Sequence, residues 1–265
     1  MDPKGKIAVV TGAAGGIGGA LVRELVKAGA ATVVATDIRV EGLDTFADEP
    51  NVLARPLDVS DDTATHQLVD SIESEVGPID LWFANAGVAG GGGPQAPNAM
   101  WDLQWRVNVM SHVYAARALL PGWTARGEGH LITTASMAGI LTSLGDGVYA
   151  ATKHAAVGFA EWLAITYADQ GIKVSCICPG AVDTPMLTGG AGGDPGKASA
   201  VIGGGEVLPA LEAAARVVQA VKEDRFLILT HPEMQTYIER KAADPQRWIR
   251  GMARLWGRAQ ELLKS

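Results

Sequence analysis

An uninterrupted apolar run, Lys6 to Thr11 (KIAVVT), ends abruptly in the glycines Gly12, Gly15, Gly16, Gly18 and Gly19. A run without polar alternation suits a parallel strand covered on both faces, because neither face meets water. The glycines stop that strand. Beyond them Ile17, Leu21, Leu25 and Val26 recur at helical spacing, so a helix opens directly out of the turn. Such a junction presents backbone N–H groups and a helix N-terminus to a pyrophosphate, with no side chain to hold it off. The next apolar run, ATVVATD, closes on Asp37, about 20 residues on, where a carboxylate can accept hydrogen bonds from both hydroxyls of an adenosine ribose. Glycines alone also fit a plain tight turn; it is their place between strand and helix, with an acid after the second strand, that favours a dinucleotide.

The chain is long and apolar enough for one large α/β domain, with 265 residues, 48% hydrophobic and 19% charged. Its formal net charge is −7 and no block of Lys or Arg precedes the C-terminal tail, so a nucleic-acid partner is not expected. No apolar run approaches the ~18 residues of a membrane span, and MDPKGKIAVVTG enters a strand without a charged leader and apolar core. A soluble, cytoplasmic protein with no membrane partner is expected. Cys176 and Cys178, one residue apart in IKVSCIC, read as buried filler on one face of a strand. His66, His112, His130, His154 and His231 form no ligand pattern, so no metal is expected.

The chemistry concentrates between Ser136 and Lys153, SMAGILTSLGDGVYAATK. Residues four apart share a helix face, so a helix beginning near Gly147 brings the Lys153 ammonium alongside the Tyr149 phenol. Lowering a Tyr pKa from about 10 by ~3 units takes roughly 4 kcal/mol, which one positive charge at ~4 Å supplies at an effective dielectric near 20. Ser136 closes the apolar run HLITTAS, and its hydroxyl can polarise a substrate oxygen shared with Tyr149. On its own, YxxxK also fits a surface pair worth a few tenths of a kcal/mol. Asn108, in a helix among Val107, Val109 and Val113, is either a packing accident or a polar group that holds a water.

Together these segments resemble the short-chain dehydrogenase/reductase family over nearly the whole length up to about residue 230. The family's TGxxxGxG stands as Thr11-Gly12-Ala13-Ala14-Gly15-Gly16-Ile17-Gly18, and its NAG as Asn85-Ala86-Gly87. The resemblance implies a single Rossmann-type, doubly wound α/β domain with about seven mostly parallel strands and helices on both faces. It implies NAD held by Gly12, Gly16, Ile17, Gly18 and Asp37, with Asp58 and Val59 against the adenine and Asn85, Ala86 and Gly87 beside it. Pro179, Gly180, Val182 and Thr184 would pass the nicotinamide, and Tyr149 and Lys153 would reach its ribose. It assigns Asn108, Ser136, Tyr149 and Lys153 to a catalytic tetrad, with Asn108 ordering water behind Lys153, and implies a homotetramer or homodimer built on the helices of Asn108 and Tyr149.

Nothing in the sequence names the substrate. Met137, Leu141, Leu144, Met186 and Leu187 are candidate wall residues without a charge among them, which points to a hydrophobic secondary alcohol or ketone. Two glycine-rich stretches, GVAGGGGPQ and TGGAGGDPGKASAVIGGG, are expected to form opposite walls of a cleft. An NADP-dependent carbonyl or 3-oxoacyl reductase is the competing enzyme reading, opposed by Asp37 and by the lack of a basic residue at Ala14, Gly15 or Ile38. A dinucleotide-binding sensor without turnover is the competing reading of another class. From His231 to Ser265 the chain continues as a helical extension in which Trp248, Ile249, Met252, Leu255, Trp256 and Ala259 mark one helix face and Arg247, Arg250, Arg254 and Arg258 lie largely off it. That face is expected to pack on the core or another subunit, next over the pocket, and last as an interfacial membrane helix with Trp on one face and Arg on the other.

Overall fold

The structure, a computed structural model, describes residues 1–90, 92–188 and 206–262. Its strands are β1 (Ile7–Thr11), β2 (Thr32–Asp37), β3 (Val52–Pro56), β4 (Leu81–Ala84), β5 (Gly129–Thr134), β6 (Ile172–Cys178), the short β7 (Val182–Asp183) and β8 (Leu208–Pro209), and β9 (Leu227–Leu229). Seven of them form one sheet in the order β3-β2-β1-β4-β5-β6-β9, while β7 and β8 pair separately. Every pairing in the large sheet is parallel, where the sequence suggested a mostly parallel one.

The absence of polar alternation in these strands has its cause in the layers on either side. Successive side chains point to opposite faces, so Ala8, Val10, Leu81 and Phe83 enter one core layer while Val9, Trp82 and Ala84 enter the other. Helix α1 (Gly16–Lys27) and a later helix, Ala210–Lys222, bury Leu21, Leu25, Val217 and Val221 in the first layer. Helices α2 (Asp62–Glu75), α4 (Ser111–Arg126) and α5 (Gly147–Thr166) bury Leu68, Ile72, Leu119, Ala156 and Leu163 in the second. Before α4 come α3 (Asn98–Trp105) and one wide π turn, Arg106–Met110, which holds Asn108 at its middle. Single π turns recur at functional sites.

The chain runs outward from β1 in both directions, so β1 and β4 flank a topological switch point, where ligands of open α/β sheets bind beyond the carboxyl ends of the strands. At that edge stand the glycine turn after β1, Asp37 at the end of β2, Asn85 after β4 and Ser136 after β5. After α6 (Pro185–Thr188) and α7 (Ala210–Lys222), the extension forms α8 (Met234–Ala243) and α9 (Pro245–Leu262). On α9, Ala259 is buried and the two Trp are half-buried, but Ile249 is 59% exposed and so departs from the expected stripe. Trp256 packs on Gly145, where an added Cβ would lie 2.9 Å from the indole.

Gly139 fixes how the loop after Ser136 meets α5: a Cβ there would lie 2.4 Å from the Lys153 carbonyl oxygen. Gly139→Ala should therefore cost about 1–3 kcal/mol, read as a lower urea midpoint at unchanged slope. Gly158→Ala is the matched control on α5, because nothing lies within 4 Å of its added Cβ; it should stabilise by roughly 0.5–1 kcal/mol.

Candidate active site

The glycine turn is built to keep side chains away. Gly12 has φ +70, and an added Cβ would lie 2.9 Å from Ala86 Cα; on Gly18 it would lie 2.1 Å from the Gly12 carbonyl oxygen. Gly16, at φ +56, faces Thr184, whose Cγ2 would be 3.3 Å from an added Cβ. Thr184 is thus brought against the turn from the far side of the sheet edge. Helix α1 starts at this turn with no side-chain cap and no acidic residue in its first turn, so its leading N–H groups and dipole are left for an anion.

The neighbouring NAG segment is bolted to β1. Thr11 Oγ1 accepts from the backbone N–H groups of Asn85 and Ala86, both at 3.0 Å, and Asn85 Nδ2 donates to the Thr11 carbonyl at 3.0 Å. Asp37 is buried, and its two carboxylate oxygens accept from Ala14 N at 3.0 Å and Arg39 N at 2.9 Å. Arg39, two residues beyond Asp37, is well exposed, and its Nε lies 3.6 Å from the Asp37 carboxylate. Asp58 is exposed and turns back to accept from Ser60 N, with Val59 half-buried beside it. Pro179 and Val182 are buried, and Gly180 is held close to His231, where an added Cβ would meet the ring at 2.7 Å. These features fit a dinucleotide: bare backbone at the turn, an uncapped helix start, and a fixed carboxylate at the end of β2.

Tyr149 and Lys153 do share one face of α5, with Lys153 Nζ 5.6 Å from the centre of the Tyr149 ring. The ammonium is buried and donates to the Thr134 carbonyl at 2.8 Å. Here the structure corrects the electrostatics read from the sequence. Burial pushes the Tyr149 phenol up; the Ser136 hydroxyl draws it back only in part, and Asp146 adds to the rise. Burial also pushes the Lys153 pKa down to about 8. Spacing correctly made the two groups neighbours, but the cost of desolvation exceeds what one charge turned toward a carbonyl returns.

The Asn108 amide is buried and bonded at both ends. Its Oδ1 accepts from Val88 N at 2.9 Å, and its Nδ2 donates to Val88 O at 2.9 Å and to Thr152 Oγ1 at 3.1 Å. The side chain clamps the segment after Asn85 to α5. Gly87 lies in the gap, since an added Cβ would sit 3.3 Å from Asn108 Oδ1 and 3.4 Å from Lys153 Nζ. Ser136 Oγ accepts from Ala138 N at 3.0 Å. Cys176 and Cys178 are buried free thiols with sulfurs 3.9 Å apart, as the spacing suggested. Among the described residues no group of three His, Cys, Asp or Glu could hold a metal.

Of the candidate wall residues, Leu141 and Leu144 line a cavity beneath α9, Met137 belongs to the core, Leu187 is half-buried and Met186 is 50% exposed. The second glycine-rich stretch lies mostly in residues 189–205, outside the described residues. Sequence reading missed Asp146, whose carboxylate caps α5 at Tyr149 N and also accepts from Gly90 N; an Asp three residues before the helix face begins was the available signal. It also missed His112, which is fully buried within reach of the Lys153 charge. Burial, aided by the Lys153 charge, pushes the His112 pKa down to about 3.

The model of short chain dehydrogenases matches residues 6–191 of this chain. The chain belongs to the short-chain dehydrogenase family. It is similar to the 1-deoxy-11-beta-hydroxypentalenate dehydrogenase of Streptomyces avermitilis, 39% identical over 86% of each chain. It is also similar to the enzyme of that name from Streptomyces exfoliatus, 34% identical over 94% of this chain and 91% of that one. Among solved structures, a short-chain dehydrogenase from Burkholderia phymatum in complex with NAD superposes with a TM-score of 0.82 at 28% identity, covering 93% of this chain and 96% of that one. This short-chain dehydrogenase is accordingly an oxidoreductase; the matched span takes in β1 to β7, while β8, α7, β9 and the extension α8 and α9 lie beyond it.

The Lys153 geometry sets a pH dependence of stability. Its pKa is about 8 folded against 10.5 for the free side chain, so between those values the unfolded chain holds the extra proton and stability rises with pH. Below about pH 8 the fold bears the full cost of the buried charge. Relative to Lys153→Met, the wild type should therefore gain up to about 3 kcal/mol as pH climbs through this window. Urea midpoints of both proteins across the window check it, and a constant difference contradicts it.

Proposed function

We propose that this dehydrogenase transfers a hydride between NAD(H) and a hydrophobic secondary alcohol or ketone, with Tyr149 giving or taking the hydroxyl proton. The observation that carries the reading is the convergence at one sheet edge of an uncapped glycine turn, a fixed Asp37, and Ser136 with Tyr149 and Lys153. NAD(H), when bound, accepts or supplies the hydride. Gly12, Gly16, Ile17 and Gly18 would hold its pyrophosphate, Asp37 its adenosine ribose, and Lys153 its nicotinamide ribose. Ser136 shares the substrate oxygen with Tyr149. Asn108 and Thr152 keep α5 against the NAG segment, so the three reacting groups stay in register.

Because burial raises the Tyr149 pKa, the resting phenol is protonated and ready to donate to a ketone oxygen; alcohol oxidation needs the phenolate. The relatives named for a hydroxypentalenate support a hydroxyl on an apolar skeleton. Self-association is proposed through α3 and α5, which leave Trp105, Trp162 and Ile165 at 46%, 54% and 73% exposure, more aromatic surface than a solvated helix face needs. Among the described residues no helix is long and apolar enough to cross a membrane, and a cytoplasmic site of action is proposed.

Two outcomes test the reading. Tyr149→Phe keeps the ring and removes the proton, so turnover should fall by at least ~10²-fold while NAD affinity is kept; wild-type oxidation should climb with pH into the alkaline range. An active Phe variant ends this mechanism. Asp37 faces the position where NADP carries a phosphate of about two negative charges, so kcat/KM should favour NAD by at least ~100-fold. Asp37→Ala with Ile38→Arg should shrink or reverse that preference, and equal use of both cofactors by the wild type would show that Arg39 neutralises Asp37.

A further inference from the structure

The cavity between α9 and the loop after Ser136 has a chemistry that hydride transfer does not call on. Its volume is about 470 Å³, and its walls are largely apolar: Leu141 and Leu144 from the loop, Trp248, Met252 and Trp256 from α9. Lys241, in the last turn of α8, is the one ammonium or guanidinium on the lining among the described residues; the imidazole of His154 is the other titratable group there, and the lining has no carboxylate. Its ammonium donates to the Ile140 carbonyl. Burial alone pushes its pKa down, with no opposite charge pulling it back. Lys241 is half-buried, and an ammonium partly withdrawn from water with no counter-ion beside it favours the arrival of an anion. One of its three N–H donors is used by Ile140, and two remain.

The loop carries a second sign of a built site. Thr142, a β-branched residue on the same lining, has φ 132, a conformation that glycine adopts freely and that costs such a residue of order 1–3 kcal/mol. The shape that strains it is also the shape that seats Gly145 against Trp256. Aromatic walls with one placed charge are the usual make-up of a small-molecule pocket.

We propose that this cavity binds an apolar, ring-rich carboxylate, with Lys241 holding the carboxylate and Trp248 and Trp256 flanking the hydrocarbon. The loop that forms one wall joins Ser136 to Tyr149 in the chain, and through that link the site would set a substrate class for the reaction: hydroxy or keto acids on a compact apolar skeleton. In that role it rests on the hydride-transfer reading; the binding itself does not.

Tryptophan fluorescence of the full chain, titrated with adamantane-1-carboxylate and with adamantane-1-carboxamide, compares one cage with and without the charge. The carboxylate should quench saturably and bind at least about tenfold more tightly than the amide. Lys241→Gln should abolish that difference and leave amide binding unchanged, and Trp248→Phe should reduce the quench. Equal affinity for the two probes, no saturable quench, or a preference that survives in Lys241→Gln would overturn the proposal. The acid and amide comparison on the unaltered chain decides the matter even if a variant fails to fold. Turnover plays no part in it, so a chain that binds the acid yet oxidises no alcohol would refute hydride transfer and leave this site standing.

Discussion

A buried ammonium donating to a strand-end carbonyl, Lys153 to Thr134 at 2.8 Å, is the contact on which the geometry of the site depends. A charge inside protein is tolerated only where its donors are used, so α5 has little freedom to move along the ends of β5 and β6. The surroundings are cut to fit. Gly139 lets the loop after Ser136 lie directly on the Lys153 backbone, Gly87 leaves room for its ammonium, and Asn108 ties Thr152, one residue earlier, to Val88. Asp146 then fixes the start of α5 at Tyr149. Backbone contacts thus hold Lys153 and the start of α5, and the Ser136 hydroxyl bonds the Tyr149 phenol directly.

The same burial decides the electrostatics. Tyr149 and Lys153 are each driven toward their uncharged forms, the phenol upward and the ammonium down to about 8, and His112 beside them is neutral for the same reason. The site rests as a set of poised, mostly neutral groups. Anionic character is concentrated instead at the other end of the cleft, where Asp37 is held by two backbone N–H groups with Arg39 alongside.

Much of this was legible in the sequence because it is set by local pattern. The glycine turn, the strand runs and the Tyr149 and Lys153 spacing follow from backbone geometry, which residue order encodes directly. What was not legible depends on contacts between distant segments. The role of Asn108 was left open between packing and holding a water because nothing in a helix sequence reveals that Val88, 20 residues away, would meet both ends of its amide. The Tyr149 pKa was read downward because spacing reports neighbours and says nothing of how much protein surrounds them. Met137 looked like a pocket residue from its place after Ser136 and belongs to the core, while Ile249 fitted the helical stripe and points largely to solvent. A helix stripe predicts a buried face only when the partner surface is wide enough to cover it, and α9 rests on a loop and on the single helix α8, where Trp248 meets Tyr237.

The central claim is that burial, not its lysine neighbour, sets the resting state of Tyr149. An ultraviolet difference titration of tyrosinate, wild type minus Tyr149→Phe in the absence of dinucleotide, isolates that one phenol. The account predicts that it ionises only above the ordinary value of about 10. A phenol that titrates near neutral pH in the chain alone would contradict it.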